Sequence, residues 1–188
     1  MKKQIERILT FMVVIALVMA CTPPAANETA SSEVVSHPKG QASVSDDVSD
    51  KNILQVAMTS EAHTTLVAAV EAAQIENVLV NAGPLTVFAP TNDAFAGLPE
   101  GTVENLLKPE NKSDLATILT RHAAPGSYDL DALKKEASKG RKLYMATGDY
   151  LEVQVDGDEV TVGGAIVLAT IPTSNGIIHV IDRVISTN

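Results

Sequence analysis

The chain of 188 residues contains no tryptophan, a single cysteine, and only three tyrosines and three phenylalanines. Aromatic residues make up 3% of the sequence, which is too few for base-stacking surfaces or flat sugar-binding platforms. One cysteine excludes a disulfide within the chain and a cysteine-rich zinc site. The net charge of −9 would repel a phosphate backbone, so we expect no nucleic-acid partner.

The remaining composition is that of an ordinary folded protein. Hydrophobic residues account for 45% of the chain and charged residues for 20%, which excludes wholesale disorder. The length suits one domain of ordinary size once a leader is subtracted.

Sequence motifs of catalysis are missing from the chain. There is no Gly-x-Ser-x-Gly elbow, and Gly163-Gly164 precedes a predicted strand instead of opening a phosphate-binding helix. The histidines of the folded part lack the spacing of metal ligands: His63, His122 and His179. We therefore expect no enzyme, no metal and no cofactor. A metal-dependent enzyme remains an alternative only if these histidines converge in the fold.

The first 20 residues are typical of a secretory signal. Three basic residues, Lys2, Lys3 and Arg7, precede residues 8–20, which include one polar residue. Such a span is too short for a membrane helix of roughly 20 residues, but it suits the apolar part of a signal peptide.

The sequence Val18-Met19-Ala20-Cys21 resembles the lipobox of bacterial lipoproteins, in which the cysteine is acylated and becomes the new N-terminus. Met19 departs from that pattern, so processing at Cys21 could be incomplete. The alternative is an ordinary secretory signal with Cys21 left as a free thiol. Thr22 follows the cysteine instead of Asp, which implies sorting to the outer membrane in a bacterium with two membranes. The domain could then face the periplasm or the exterior.

Residues 21–50 are predicted to form a flexible linker that carries the lipid. Positions 22–50 include six serines, four alanines, three prolines, five acidic residues and no aromatic residue. This composition cannot bury enough surface to fold, and a coil of this length reaches roughly 30 Å. Because the chain is acidic, we expect it to contact the membrane through its lipid alone.

Residues 51–188 are predicted to form one α+β domain, because helical patterns come first and strands follow. Helices are expected over 53–57, 61–75, 76–80 and 131–138. Three more are expected to start at a cap formed by Thr91 or Asn92, at Thr102, and at a cap formed by Ser113. Strands are expected at 85–89, 142–146, 150–155, 159–162, 165–171 and 177–185.

Three segments of this domain resemble the fasciclin domain family. Residues 86–95 (TVFAPTNDAF) are similar to its first signature and residues 174–185 (SNGIIHVIDRVI) to its second. Between them, residues 119–126 (LTRHAAPG) occupy the place of the family's Tyr-His block, with Arg121 where the tyrosine usually stands. The resemblance covers the whole of 51–188.

The resemblance implies a compact β-sandwich wedge packed with helices, found in extracellular and surface proteins that mediate adhesion. It implies candidate interaction residues at Arg121, His122, Pro125 and Ile171. The segment 169–172 lies at the family's Asp-Ile position without the aspartate, so we do not expect recognition of the animal type. The polar residues of the two signatures are expected to be structural: Thr91, Asn92, Asp93, Asn175, Gly176, His179 and Asp182.

The sequence thus predicts a lipid-tethered, non-catalytic interaction or adhesion module, expected to be a monomer. Its partner would be a protein or polysaccharide at the cell surface. The alternative is a lipid-anchored carrier of a small apolar ligand, which requires an internal apolar cavity of several hundred cubic ångströms.

Overall fold

The computed structural model describes residues 50–81 and 83–186. The predicted signal peptide, Cys21 and all but the last residue of the predicted linker lie outside these residues. Within the described part, no helix has the length and apolar character needed to cross a bilayer. The helices are α1 (Ile53–Met58), α2 (Thr64–Ala73), α3 (Glu76–Asn81), α4 (Asn92–Ala96), α5 (Thr102–Leu106), α6 (Lys112–Arg121) and α7 (Leu130–Ser138).

The strands form one six-stranded sheet and one small two-stranded sheet. The large sheet has the order β2-β1-β8-β7-β6-β5, and β3 pairs with β4. Their bounds are β1 (Leu85–Pro90), β2 (Ala123–Pro125), β3 (Leu143–Tyr144), β4 (Tyr150–Leu151), β5 (Val153–Asp156), β6 (Glu159–Val162), β7 (Ala165–Thr173) and β8 (Gly176–Ile181). The predicted α+β class is confirmed.

Strands β1 and β8 pair in parallel at the centre of this sheet. Leu85 lies opposite Gly176, and Pro90 lies opposite Ile181. The other paired strands of the described chain are antiparallel. The two segments that carry the family signatures are therefore direct neighbours, although residues 96–173 lie between them in the sequence.

Hydrophobic cores lie on both faces of β1, because its side chains alternate with the period of a strand. Leu85, Val87 and Ala89 pack against the helices. The other buried members of this helical core are Ile53, Leu54, Leu66, Ala69, Val70, Ala73, Leu115, Leu119, Ala123 and Ile178. Phe88 points to the other core, with Ala124, Leu133, Leu143, Met145, Val153, Val160, Val162, Ala165, Ile181 and Ile185. A strand buried on both faces needs side chains that are apolar or hydrogen-bonded inside the domain. The first signature meets this need: Thr86 is the one polar residue of β1, and its buried hydroxyl donates to the Gly126 carbonyl at 2.9 Å.

Several predicted element bounds are wrong. β2 was not predicted, because its three residues acquire strand geometry only by pairing with β1. The last strand ends at Ile181, since the Asp182 carboxylate accepts a hydrogen bond from the Ile166 backbone N–H at 2.7 Å and the chain bends there. Ser113 lies inside α6, which begins at Lys112 without a side-chain cap.

The turn before β8 joins both ends of the domain. The Asn175 side chain accepts a hydrogen bond from the Ile53 backbone N–H at 2.9 Å and donates one to the Leu79 carbonyl at 2.7 Å. At Gly176 the strands approach so closely that a Cβ atom would collide with the Leu85 carbonyl oxygen and lie 2.8 Å from its carbon. The predicted structural interpretation of these residues thus has a geometric reason.

We expect Asn175→Ala to lower the free energy of unfolding by roughly 2–4 kcal/mol, because two backbone groups lose their partner. Urea denaturation followed by circular dichroism measures this change. Ser174→Ala, at the exposed neighbouring position, should change it by less than about 0.5 kcal/mol. Equal small effects of both substitutions would contradict this role of Asn175.

Candidate functional site

An open apolar groove lies between α4, α5, α6 and the C-terminal segment that follows β8. Its volume is about 380 Å³. Among the described residues that line it, Arg121 is the sole basic side chain and Asp114 the sole acidic one. The apolar members of its wall are Pro90, Phe95, Leu98, Leu106, Leu115, Ile118, Leu119, Val184 and Ile185. We refer to it below as the apolar groove.

Arg121, the last residue of α6, forms one end of this groove. Its Nη2 atom donates to Asp149 Oδ2 at 2.6 Å, and 17% of the arginine side chain is exposed. Asp149 also accepts a hydrogen bond from the Thr147 hydroxyl at 3.0 Å. The sequence identified Arg121 but missed Asp149, because the pairing depends on how the turn at 145–149 folds against α6.

His122 is buried at the bottom of the groove and joins α6 to the C-terminal segment. Its Nδ1 donates to the Ile118 carbonyl at 2.8 Å, and its Nε2 accepts from the Ile185 backbone N–H at 2.9 Å. The second contact requires a neutral ring that carries its proton on Nδ1, since only then does Nε2 have a lone pair to accept the bond. Burial lowers the pKa of His122 to about 4, with a smaller contribution in the same direction from Arg121 and an opposing one from the Ile118 carbonyl.

Next to Asp149, the two-stranded sheet presents two exposed tyrosines. Tyr144 on β3 lies opposite Tyr150 on β4, with ring centroids 5.3 Å apart and ring planes tilted by 56°. Their exposed fractions are 45% and 62%. We call residues 143–151 the tyrosine hairpin. The sequence predicted strands at 142–146 and 150–155, and a hairpin with those bounds would pair residue 146 with Tyr150. The observed pairing of Tyr144 with Tyr150 depends on a longer turn, residues 145–149.

Two polar residues of the first signature stabilise helix N-termini through side-chain hydrogen bonds. The Thr91 hydroxyl caps α4 by accepting from the Ala94 N–H at 3.2 Å. Asn92 is not a cap for its own helix: its side chain accepts from the Thr65 N–H at 3.0 Å and donates to the Glu61 carbonyl at 2.8 Å. Asn92 therefore accepts a hydrogen bond from a free backbone N–H in the first turn of α2. Asp93 is exposed in the first turn of α4, where negative charge is favourable.

His179 of the second signature is fully buried and bonded at both nitrogens. Nε2 lies 2.7 Å from the Tyr128 carbonyl and Nδ1 lies 2.9 Å from the Thr170 hydroxyl. The ring stacks on Phe88 with centroids 5.4 Å apart. The Thr86 hydroxyl accepts a hydrogen bond from the Tyr128 backbone N–H at 2.9 Å, so the backbone N–H and the backbone carbonyl of Tyr128 both have partners. Burial lowers the pKa of His179, opposed by the Tyr128 carbonyl and the Asp129 charge.

The four predicted interaction residues do not lie on one surface. Arg121 and His122 line the apolar groove, but His122 is only 3% exposed and offers a partner almost no surface. Pro125 lies opposite Leu85, about 16 Å along β1 from the groove at Pro90. Ile171 on β7 is partly buried against the helical core. Their interaction roles stay predictions.

The described residues form no group of three or more His, Cys, Asp or Glu side chains that could hold a metal ion. Each of the three histidines hydrogen-bonds to different neighbours: His122 and His179 have the partners given above, and His63 Nδ1 lies 2.8 Å from the Ser60 hydroxyl. Burial lowers the pKa of His63 as well, opposed by the Ala89 backbone. A small void of about 30 Å³ in the helical core has room for a single water molecule.

Comparison with known proteins agrees with this geometry. A model of the fasciclin domain family matches residues 61–187, and the chain belongs to this family. It is 48% identical over 134 residues to the protein sll1483 of Synechocystis, covering 71% of this chain and 72% of that protein. It is 32% identical over 180 residues to the immunogenic protein MPB70 of Mycobacterium bovis, covering 90% and 89% respectively.

A solved structure shares the fold. The fasciclin domain pair of the insect cell adhesion molecule fasciclin I superimposes with a TM-score of 0.50 at 20% sequence identity. The match covers 64% of this chain and 44% of that chain.

The three histidines make stability depend on pH. Unfolded His122 titrates near 6.5 and folded His122 near 4, so the unfolded chain binds more protons between these values. The free energy of unfolding should therefore fall as pH decreases from 6.5 to 4, by about 3 kcal/mol from His122 alone. His63 and His179 act in the same direction. Urea denaturation at a series of pH values measures the slope.

His122→Gln should remove most of this slope, and His63→Gln should remove less. Stability that stays constant between pH 4 and 6.5 in the unsubstituted protein would contradict the buried neutral state of His122.

Proposed function

We propose that this protein is an exported, lipid-tethered interaction module that binds a protein partner through Arg121 and the tyrosine hairpin. The observation that carries the proposal is the exposed Tyr144–Tyr150 pair beside the Arg121–Asp149 ion pair. Membership of the fasciclin family supports an interaction module in general. The choice of a protein as the partner rests on the side chains of this face, which are Arg121, Tyr144 and Tyr150.

The tyrosines have more exposure than a structural role requires. A cross-strand aromatic pair stabilises a sheet by roughly 0.2–1 kcal/mol, which is their structural contribution to the hairpin. Exposed tyrosine rings add large contact areas at low entropic cost, and tyrosine and arginine are enriched among the residues that dominate interface energy. The tilt of 56° gives no flat platform for a sugar ring, so a protein partner fits better than a polysaccharide.

Arg121 contributes a charge that is held in place and partly accessible, with 17% of its side chain exposed. Its partner Asp149 is 48% exposed, so the pair lies at the surface and contributes about 1 kcal/mol or less to stability. Among the described residues, only one of its nitrogen atoms, Nη2, makes a hydrogen bond. A partner carboxylate or carbonyl can therefore bind the same guanidinium without breaking the ion pair.

Export and lipid attachment rest on residues 1–21, with Cys21 as the acylated residue. A flexible linker of about 30 Å would hold the domain near the membrane and leave its orientation free, which raises the effective concentration near surface partners.

The alternative of a carrier with an internal cavity has little support. The enclosed void in the helical core holds about 30 Å³, far below the roughly 300–1,000 Å³ of typical ligand sites.

Photo-crosslinking in intact cells tests the proposed face. Benzoylphenylalanine placed at position 150 should give a discrete crosslinked protein, whereas the same group at Val78, which is 56% exposed elsewhere, should not. Arg121→Ala should reduce the product at position 150 about tenfold while lowering the free energy of unfolding by less than about 1 kcal/mol. The same products from both positions, or none from position 150, would refute the proposal.

Metabolic labelling with palmitate tests the anchor separately. The unsubstituted chain should carry the label and sediment with membranes, whereas Cys21→Ser should lose both properties. Unchanged sedimentation and labelling of the Cys21→Ser variant would exclude this cysteine as the attachment point.

A further inference from the structure

The apolar groove is too large to be a packing imperfection. Its volume of about 380 Å³ is more than ten times that of the void in the helical core and falls within the range of small-molecule sites. The groove is open to solvent along α6, and Ile118 on its wall packs against neither hydrophobic core. An unfilled apolar surface of this kind is a favourable site for a ligand that removes it from water.

Four residues that line the groove carry uncharged polar side chains: Thr102, Thr117, His122 and Ser186. Two of them are already bonded within the protein, which leaves the hydroxyls of Thr102 and Ser186 for a ligand. The Thr117 hydroxyl donates to the Ser113 carbonyl at 3.0 Å, and both ring nitrogens of His122 are bonded within the protein. An extended peptide would leave several of its backbone N–H and C=O groups without partners here, which is costly. An alkyl chain has no such groups and fits this lining.

The charges of the groove define the polar end of such a ligand. Arg121 lies at one end, and Asp114 lies seven residues earlier on α6, about 10 Å away. A single negative charge at the Arg121 end is favourable, whereas a second one at the other end would face Asp114. Because Asp149 already shares the guanidinium, a head group with one negative charge is repelled less than a phosphate with two.

We propose that the apolar groove binds one long-chain fatty acid, with its alkyl chain along the aliphatic wall and its carboxylate on Arg121. The volume holds roughly a dozen methylene groups if each takes about the 30 Å³ of a water molecule in the liquid. The inference shares Arg121 with the proposed protein-binding face but does not require the protein partner, because Tyr144 and Tyr150 do not line the groove.

The test is a titration of the purified, delipidated full chain with dodecanoate labelled with ¹³C at its carboxyl carbon. The NMR signal of the bound carboxyl group should show one molecule per chain. Dodecylamine has a chain of the same length and a positive head group that could bind Asp114 in the reverse orientation, so the two ligands are compared in the Asp114→Asn variant. There the amine should bind at least about tenfold more weakly than dodecanoate. Arg121→Gln should weaken dodecanoate binding about tenfold or more and abolish the preference for the anion.

Variants of the wall test whether the ligand occupies the groove. Ile118→Trp should fill the groove and abolish binding, while Val78→Trp, at an exposed position away from it, should leave binding unchanged. Thr117→Trp, at an exposed position on the groove wall, provides a second filling variant should Ile118→Trp not fold.

Three results would overturn the proposal: no binding at millimolar dodecanoate, equal binding of the amine in the Asp114→Asn variant, or binding that survives both filling variants. Displacement of dodecanoate by an apolar helical peptide that itself binds more tightly would also overturn it in favour of a peptide site. None of these results affects the crosslinking test at position 150.

Discussion

The parallel pairing of β1 with β8 is the constraint on which the rest of the domain depends. β1 separates the two hydrophobic cores, and both faces of the strand are buried. Asn175 fixes α1 and α3 at one end of the pair, while the Thr91 backbone N–H bonds to the Ile181 carbonyl at the other end. A parallel pair requires a long crossover, and here the crossover contains most of the domain. The interior therefore closes only when the two signatures meet.

This constraint explains why the signatures carry so little chemistry of their own. The side chains of Asn92, His179 and Asn175 are bonded to backbone groups inside the domain, so they stabilise the fold and are not free to bind a ligand. The proposed binding sites lie beside them, in the tyrosine hairpin and in the apolar groove. Arg121 belongs to both places, because its side chain lines the groove and pairs with Asp149 of the hairpin.

The sequence predicted local features well and tertiary pairings poorly. The helix predicted over 53–57 is observed as α1, and its cap at Asn52 depends only on residues within one turn. The cap of α4 was expected at Thr91 or Asn92, and Thr91 provides it. The Asn92 side chain instead bonds to backbone groups of Thr65 and Glu61, which lie 27 and 31 residues away in the sequence. The groove could not be predicted, since its wall combines α4, α5, α6 and the C-terminal segment. The predicted strands on either side of residues 147–149 indicated a hairpin, but the register that places Tyr144 opposite Tyr150 depends on a turn of five residues, 145–149.

Native-state hydrogen exchange tests the central claim, that a rigid β1–β8 pair supports an adaptable surface. The account predicts that the backbone amides of β1 and β8 exchange only through global unfolding, with opening free energies equal to that of the whole domain. Amides of the tyrosine hairpin should exchange through local opening at clearly lower free energy, because only two residue pairs join its strands. Exchange of β1 and β8 at the same rate as the hairpin would contradict the account.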